Sequence, residues 1–292
     1  MQDFNDKVAF VTGAASGIGL GMTKAFVRAG MRVMMADIES KALSAAADRV
    51  RSECSPKDAS SISTLVCDVS DRASVFAAAD QTLRTFNKVH VVCNNAGVTS
   101  GGLMEECSEG DWSWVIGVNY LGVLHGCQAF LPHIKRQQEG GHVVNTSSMA
   151  GVLGGMPAWG PYNSTKYAVV GLTEVLRQEG RTGGFGASVL CPGGVNTNIF
   201  EAPRNRPSRF GPQESVVADK MTADDITKGI NPDIVGLLVL EAIKADRQFI
   251  FTDPRLRSRV ERRHEKMMAD FQWAAESNAL VSAGAPGAKL SG

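Results

Sequence analysis

Short apolar runs alternate along the chain with longer segments in which apolar positions recur every three or four residues. "KVAFVTG" is such a run, closed by glycine, and the helix-compatible "GIGLGMTKAFVRAG" follows it. "MRVMMAD", "SISTLVCDV", "KVHVVCNNAG", "GHVVNTSS", "GASVLCPGG" and "RQFIFT" repeat the first pattern. "SKALSAAADRVRSE", "RASVFAAADQTLRTF", "DWSWVIGVNYLGVLHGCQAFLPHIKRQ", "PYNSTKYAVVGLTEVLRQEG" and "DIVGLLVLEAIKA" repeat the second. Near-continuous Val, Leu and Cys runs predict strands covered on both faces, which is the property of a parallel sheet. Strict strand–helix alternation then predicts right-handed crossovers, an α/β fold with a doubly wound parallel sheet, and ligands at the carboxyl ends of the strands.

The alternation lapses between "NTNIFEAPRNRPSRFGPQESVVADK" and "NPDIVG", and residues of about 195–230 are expected to form a mobile lid. Beyond the last strand, "RLRSRVERRHEKMMADFQWAAES" predicts a charged amphipathic helix. Residues 1–280 are expected to form one domain and 281–292 a disordered tail. With 43% hydrophobic and 21% charged residues the chain has an ordinary globular composition, and a formal net charge of zero gives no reason to expect nucleic acid or an anionic membrane as partner. No apolar run approaches the roughly 18 to 20 residues that span a bilayer, and the start lacks a signal-peptide pattern, so a cytoplasmic location is expected. The six cysteines show no paired spacing and the five histidines no ligand spacing, so reduced thiols and no metal site are expected.

Candidate chemistry starts at "TGAASGIG", between the first strand and the first helix. Gly13 permits the tight turn, Gly17 the close approach of a pyrophosphate and Gly19 the packing of helix on sheet, with Ser16 and Ile18 as further contacts beside the helix amino terminus. Asp37 ends the second strand roughly twenty residues on, where a carboxylate accepts hydrogen bonds from an adenosine ribose and repels a 2′-phosphate. Neither Ile38, Glu39 nor Ala15 is basic, so no cation is placed to neutralise that phosphate and NAD is expected over NADP. Asp37 has the alternative role of capping the next helix. Tyr162 and Lys166, in "GPYNSTK", are one helical turn apart and so share a helix face.

These segments occur in the order found in short-chain dehydrogenases/reductases, the single-domain Rossmann branch, and the chain from Lys7 to Phe251 resembles that family. "TGAASGIG", Asp68–Val69, "NNAG", Asn119 in "GVNYLG", "NTSS", "YNSTK" and "CPGGVNT" carry the resemblance. It implies a catalytic tetrad of Asn119, Ser148, Tyr162 and Lys166. It further implies that Asp68 and Val69 hold the adenine, that Asn95, Ala96 and Gly97 border the adenosine ribose, and that Pro192, Gly193, Val195 and Thr197 contact the nicotinamide. A homodimer or homotetramer built on the two long helices is implied as well.

Alcohol oxidation needs a base for the hydroxyl proton while hydride leaves carbon. A tyrosine titrating near 10 serves near neutrality only if shifted by about three units, roughly 4 kcal/mol, a stabilisation that Lys166 and a cationic nicotinamide can supply. Ser148 is placed to orient the substrate oxygen, although an unusually long gap to Tyr162 leaves Ser147 as the alternative. Asn119, by analogy, bends its helix and relays protons through water to Lys166.

Leu153, Met156, Trp159, Phe200 and Phe210 are either a hydrophobic substrate pocket or core. Arg204, Arg206 and Arg209 either meet a carboxylate or form a solvated face. "NIFEAPRNRPSRFG" with "GPYNSTK" is similar to bacterial dehydrogenases that oxidise the benzylic α-carbon alcohol of lignin-derived aryl ethers, which implies a small-molecule substrate that is a bulky aromatic secondary alcohol. Two competing readings are a 3-oxoacyl or other ketone reductase, which Asp37 disfavours, and a non-catalytic dinucleotide sensor, which has little need of the four tetrad residues together.

Overall fold

The computed structural model describes residues 1–55, 59–212 and 228–289. It divides into two compact units, Met1–Thr252 and Asp253–Gly292.

The first unit contains seven parallel strands in the order β3-β2-β1-β4-β5-β6-β7. They are β1 Val8–Thr12, β2 Arg32–Asp37, β3 Ile62–Val66, β4 Val91–Asn94, β5 His142–Thr146, β6 Gly186–Cys191 and β7 Phe249–Phe251. Every residue of β1, β4 and β5 is buried, as the unbroken apolar runs require of strands covered on both faces. The two edge strands are the exceptions, with Val66 of β3 58% and Phe251 of β7 42% exposed. Strand order reverses between β1 and β4, so the crevice where ligands bind such sheets lies above Thr12 and Asn94.

The helices of this unit, among the described residues, are α1 Gly17–Arg28, α2 Ser40–Ser52, α3 Arg72–Phe86, α4 Glu109–Ile116, α5 Gly122–Gln137, α6 Gly160–Gly183 and α7 Pro232–Lys244. Helices α1 and α7 cross backbone to backbone: a Cβ on Gly21 would stand 2.2 Å from the Pro232 carbonyl oxygen, and one on Gly236 would stand 2.1 Å from that of Gly21. The apolar spacing predicts one long helix around Asn119. A π-helical turn, Gly117–Leu121, instead joins α4 to α5 and sets Asn119 within it, and such bulges recur at functional sites.

By length and composition the continuous helical stretch Glu109–Gln137 suffices to cross a membrane, contrary to the expectation that no segment does. Its most apolar window is 67% buried inside the fold, which accounts for its composition as core packing.

The expected lid is described in part. Residues 199–205 and 208–210 form two 3-10 turns, and 213–227 lie outside the described residues. The second unit holds α8, Arg257–Ala275, none of whose residues is buried, and the short α9, Asn278–Ser282. The expected disordered tail therefore begins inside α9. The backbone N–H of Lys289 bonds the Ala275 carbonyl, and 290–292 lie outside the described residues.

Candidate active site

The glycine turn follows β1 directly. Gly13 and Gly17 take φ of +66° and +53°, and a Cβ on Gly19 would stand 2.1 Å from the Gly13 carbonyl oxygen. Turn and helix therefore meet more closely than any side chain allows. Ser16 stands at the N-cap of α1 without a side-chain capping bond, leaving its hydroxyl and the first helical N–H groups toward the cleft.

Asp37 ties strand β2 to this turn. Its Oδ2 accepts from Ala15 N–H at 2.9 Å and its Oδ1 from Glu39 N–H at 3.0 Å. Asp37 thus braces the entry to α2 and faces the cleft with acceptor capacity to spare. Burial raises its pKa against these backbone bonds. Opposite, Thr12 Oγ1 accepts from Asn95 N–H at 2.8 Å and Ala96 N–H at 3.0 Å, locking "NNAG" onto the end of β1. Sequence reasoning missed Thr12; its signal was a polar residue closing an otherwise apolar strand.

Gly13, Ser16, Gly17, Ile18, Asp37, Asp68, Val69, Asn95, Ala96, Gly97, Pro192, Gly193, Val195 and Thr197 line one cleft, and Ser148, Tyr162 and Lys166 close its far end. Gly19 and Asn119 stand behind that surface. Glycines too crowded for a Cβ, free N–H groups at a helix start and an incompletely bonded carboxylate twenty-odd residues on fit a dinucleotide pyrophosphate and ribose.

The far end is built on buried hydrogen bonds. Lys166, 3% exposed, donates from Nζ to the Thr146 carbonyl at 3.0 Å. Ser147 Oγ donates to the Lys166 carbonyl at 2.7 Å, so Ser147 secures the helix. Ser148 accepts from Ala150 N–H at 3.1 Å and lies close enough to Tyr162 to oppose the upward shift of its phenol. Asn119 accepts from Val98 N–H at 2.8 Å and donates to Val98 O at 2.9 Å. A Cβ on Gly97 would lie 3.5 Å from Asn119 Oδ1 and 3.6 Å from Lys166 Nζ, so both groups converge there. Tyr167, beside Lys166, accepts from Gly154 N–H at 2.7 Å and fixes the glycine-rich loop.

Burial dominates the electrostatics of the two groups: it pushes the Tyr162 pKa up, opposed by Ser148, and pulls Lys166 down to about 8, whereas the expected stabilisation of the phenolate was assigned to Lys166 together with a cationic nicotinamide. The ammonium sits 5.4 Å from the ring centroid and spends a hydrogen bond on Thr146. Desolvation of both groups outweighs their attraction across that distance.

The expected substrate wall divides. Trp159 packs edge-on against Tyr162, with centroids 5.6 Å apart, and Phe200 packs edge-on against Trp159 at 6.0 Å. Phe210 instead abuts α4, its ring 3.6 Å from where a Gly117 Cβ would be, and none of the five residues lines the cleft itself; Trp159 reaches it only through its contact with Tyr162. Each of the three arginines meets a carboxylate of this chain: Arg204 with Glu39 at 2.7 Å, Arg209 with Asp68 at 2.7 Å, and Arg206 with Asp111. Burial works against the Asp68 charge, but Ser70 and Arg209 outweigh it and hold the carboxyl below its usual range.

Comparison with known proteins agrees with this architecture. Residues 7–207 match the family model described as short chain dehydrogenase. A C alpha-dehydrogenase from Sphingobium sp. (strain NBRC 103272 / SYK-6) is 32% identical over 92% of this chain and 87% of its own. A short chain dehydrogenase/reductase from Burkholderia phymatum, solved in complex with NAD, is 38% identical with a TM-score of 0.87, covering 92% of this chain and 97% of its own. An alcohol dehydrogenase from the archaeon Thermococcus sibiricus, complexed with 5-hydroxy-NADP, is 27% identical with a TM-score of 0.68, covering 85% of this chain and 96% of its own. Both dinucleotide types therefore occur among the relatives. Among the described residues no cluster of potential metal ligands is present. The seven-stranded sheet, the glycine turn and the match over residues 7–207 together establish that this chain belongs to the short-chain dehydrogenase/reductase family, oxidoreductases acting on CH–OH groups.

Proposed function

We propose that the protein is an NAD-dependent dehydrogenase interconverting a hydrophobic, benzylic secondary alcohol and its ketone. The carrying observation is Tyr162, set with Ser148 and Lys166 in one cleft whose other end is the glycine turn, and packed edge-on against Trp159. A bound dinucleotide supplies the hydride acceptor and, when oxidised, a positive charge at the nicotinamide.

Tyr162 Oη takes the alcohol proton in oxidation and returns it in reduction, a form of catalysis worth about 100- to 10,000-fold. Ser148 holds the substrate oxygen against that phenol. Lys166 keeps a cation beneath the ring, and Asn119, fixed by Val98, stands next to Lys166 for proton relay. A phenol that burial keeps protonated is a ready donor. Oxidation therefore requires the second positive charge beside it, and reduction does not.

The edge-on pair Trp159 and Phe200 supports an aromatic substrate, since rings prefer edge-to-face contact with one another. Asp37 supports NAD, through its acceptor capacity and its charge. Self-association through α5 and α6 belongs to the same reading, because Leu121 beside α5 and Val175 on α6 are 36% and 60% exposed. Light scattering on the eluting protein tests it, and a monomer rules it out.

The test of the activity is purified protein with NAD and a panel of alcohols. Secondary benzylic alcohols are expected to yield NADH faster than β-hydroxyacyl compounds. Turnover of the acyl compounds alone would replace the benzylic reading with that of an acyl reductase.

A further inference from the structure

The role of Glu39 rests on the dinucleotide reading, which places an adenosine ribose beside Asp37. Sequence alone offers no cation near this ribose. In the folded chain a guanidinium arrives from far away: Arg204 stands 165 positions beyond Glu39 and bonds both its carboxylate oxygens, Nη2 to Oε1 at 2.7 Å and Nε to Oε2 at 3.3 Å. Asn205 Nδ2 donates to the same Oε1 at 2.7 Å. Asp37, Glu39, Arg204 and Asn205 all line the cleft.

The turn that carries Arg204 is held independently of this contact. Arg206 pairs with Asp111 where the two side chains are 4% and 0% exposed, donates to the Phe210 carbonyl at 2.7 Å and lies over the Trp114 ring at 5.2 Å. Arg204 would therefore remain at the mouth of the cleft if Glu39 lost its charge. At 37% side-chain exposure it is free to turn its planar fork, which matches a phosphate as well as a carboxylate.

The charge balance decides the direction of the effect. Asp37, Glu39 and Arg204 together carry one net negative charge, with the sole positive member of the three engaged by Glu39. A 2′-phosphate entering there meets two carboxylates and an occupied cation. Without the Glu39 charge the balance of these three is zero and the Nε and Nη2 donors of Arg204 are released, while Nη1 still faces Glu201 at 3.7 Å.

We propose that Glu39 is a specificity-determining residue: by engaging Arg204 it keeps a latent 2′-phosphate receptor occupied, so preference for NAD over NADP rests on the Glu39–Arg204 pair as well as on Asp37. Arg204 thus acts in opposite senses according to its partner. In the native protein it is neutralised, and in a Glu39→Gln variant it recruits phosphate.

Nucleotide-fluorescence titrations with NADH and NADPH test this, on the native protein and on E39Q, R204Q and the double variant E39Q/R204Q, with E39S as a second neutral replacement. Melting curves confirm that each variant is folded. The expected result is a fall of at least tenfold in the ratio of NADPH to NADH dissociation constants for E39Q and E39S, lost again in E39Q/R204Q and weakened by 0.5 M KCl through screening. An unchanged ratio in both neutral variants overturns the proposal. So does a gain that survives removal of Arg204, because that would be simple relief of repulsion. Failure of the native protein to bind NADH at all is a different result, and it removes the dinucleotide reading itself.

Discussion

The two ends of the cleft are held by different kinds of contact. Beneath Tyr162 the polar groups bond to backbone and are closed to water: Lys166 to the Thr146 carbonyl, Asn119 to both polar groups of Val98, Ser147 to the Lys166 carbonyl, with exposures of 3%, 1% and 2% for Lys166, Asn119 and Ser147. At the Asp37 end the backbone bonds of Asp37 are joined by exposed pairs from side chain to side chain, with Arg204 and Arg209 37% and 49% exposed. Buried bonds to backbone leave a reacting group one position, at the cost of desolvation. Exposed ion pairs hold weakly and yield to a ligand. The end proposed to move a proton is thus rigid, and the end proposed to admit and release a nucleotide is adjustable. Arg206 is the exception in its own segment, buried on Asp111, and it fastens the adjustable part to α4.

The sharpest contrast lies among the three arginines. Arg206→Ala leaves the fully buried Asp111 without its cation, and a loss of about 3–5 kcal/mol is expected in chemical denaturation. A loss no greater than that of Arg209→Ala would erase the distinction between anchor and surface pair.

A second, smaller effect has the opposite sign. Lys166 falls from 10.5 to about 8 on burial, so keeping it charged at pH 7 costs the fold about 3 kcal/mol at most. Lys166→Met should therefore raise the melting temperature at pH 7 while turnover collapses. The folded protein releases this proton near pH 8 and the unfolded chain near 10.5. The native cost is thus present in full below pH 8 and is relieved as pH rises between those values. The advantage of Lys166→Met in melting experiments must shrink over that window, and an advantage independent of pH would locate the effect elsewhere.

On the substrate side, Trp159→Ala removes one ring of the Trp159–Tyr162 pair, and such a contact is worth about 0.5–1.5 kcal/mol. The Michaelis constant for a benzylic alcohol should rise by about two- to tenfold. An equal change for a small aliphatic alcohol would show that no ring is recognised there. Smallest of all, Arg204→Gln and Arg209→Gln should each change stability by less than about 1 kcal/mol, and by less still in high salt.

Much of this was legible in local pattern. The seven strands and most of the helices announce themselves through apolar spacing, and "TGAASGIG" and "YNSTK" declare the two ends of the cleft within a few residues each. What was not legible is pairing across the chain. Arg204 finds Glu39 across 165 positions, Arg209 finds Asp68 across 141 and Arg206 finds Asp111 across 95, and no periodicity records such encounters. Thr12 hides as one more strand residue until "NNAG" folds onto it. The π-helical turn at Asn119 changes the winding of a helix without changing its apolar stripe. The direction of the Tyr162 shift depends on how much water the fold removes, which local pattern does not record.

The most direct test concerns that phenol. Native protein and Tyr162→Phe should be titrated with NADH and assayed for NAD reduction by a secondary benzylic alcohol in the same preparation. If Tyr162 exchanges the proton, the variant binds NADH as the native protein does and loses about 100- to 10,000-fold in kcat. Turnover by Tyr162→Phe within a few-fold of native, with NADH still bound, would contradict the account.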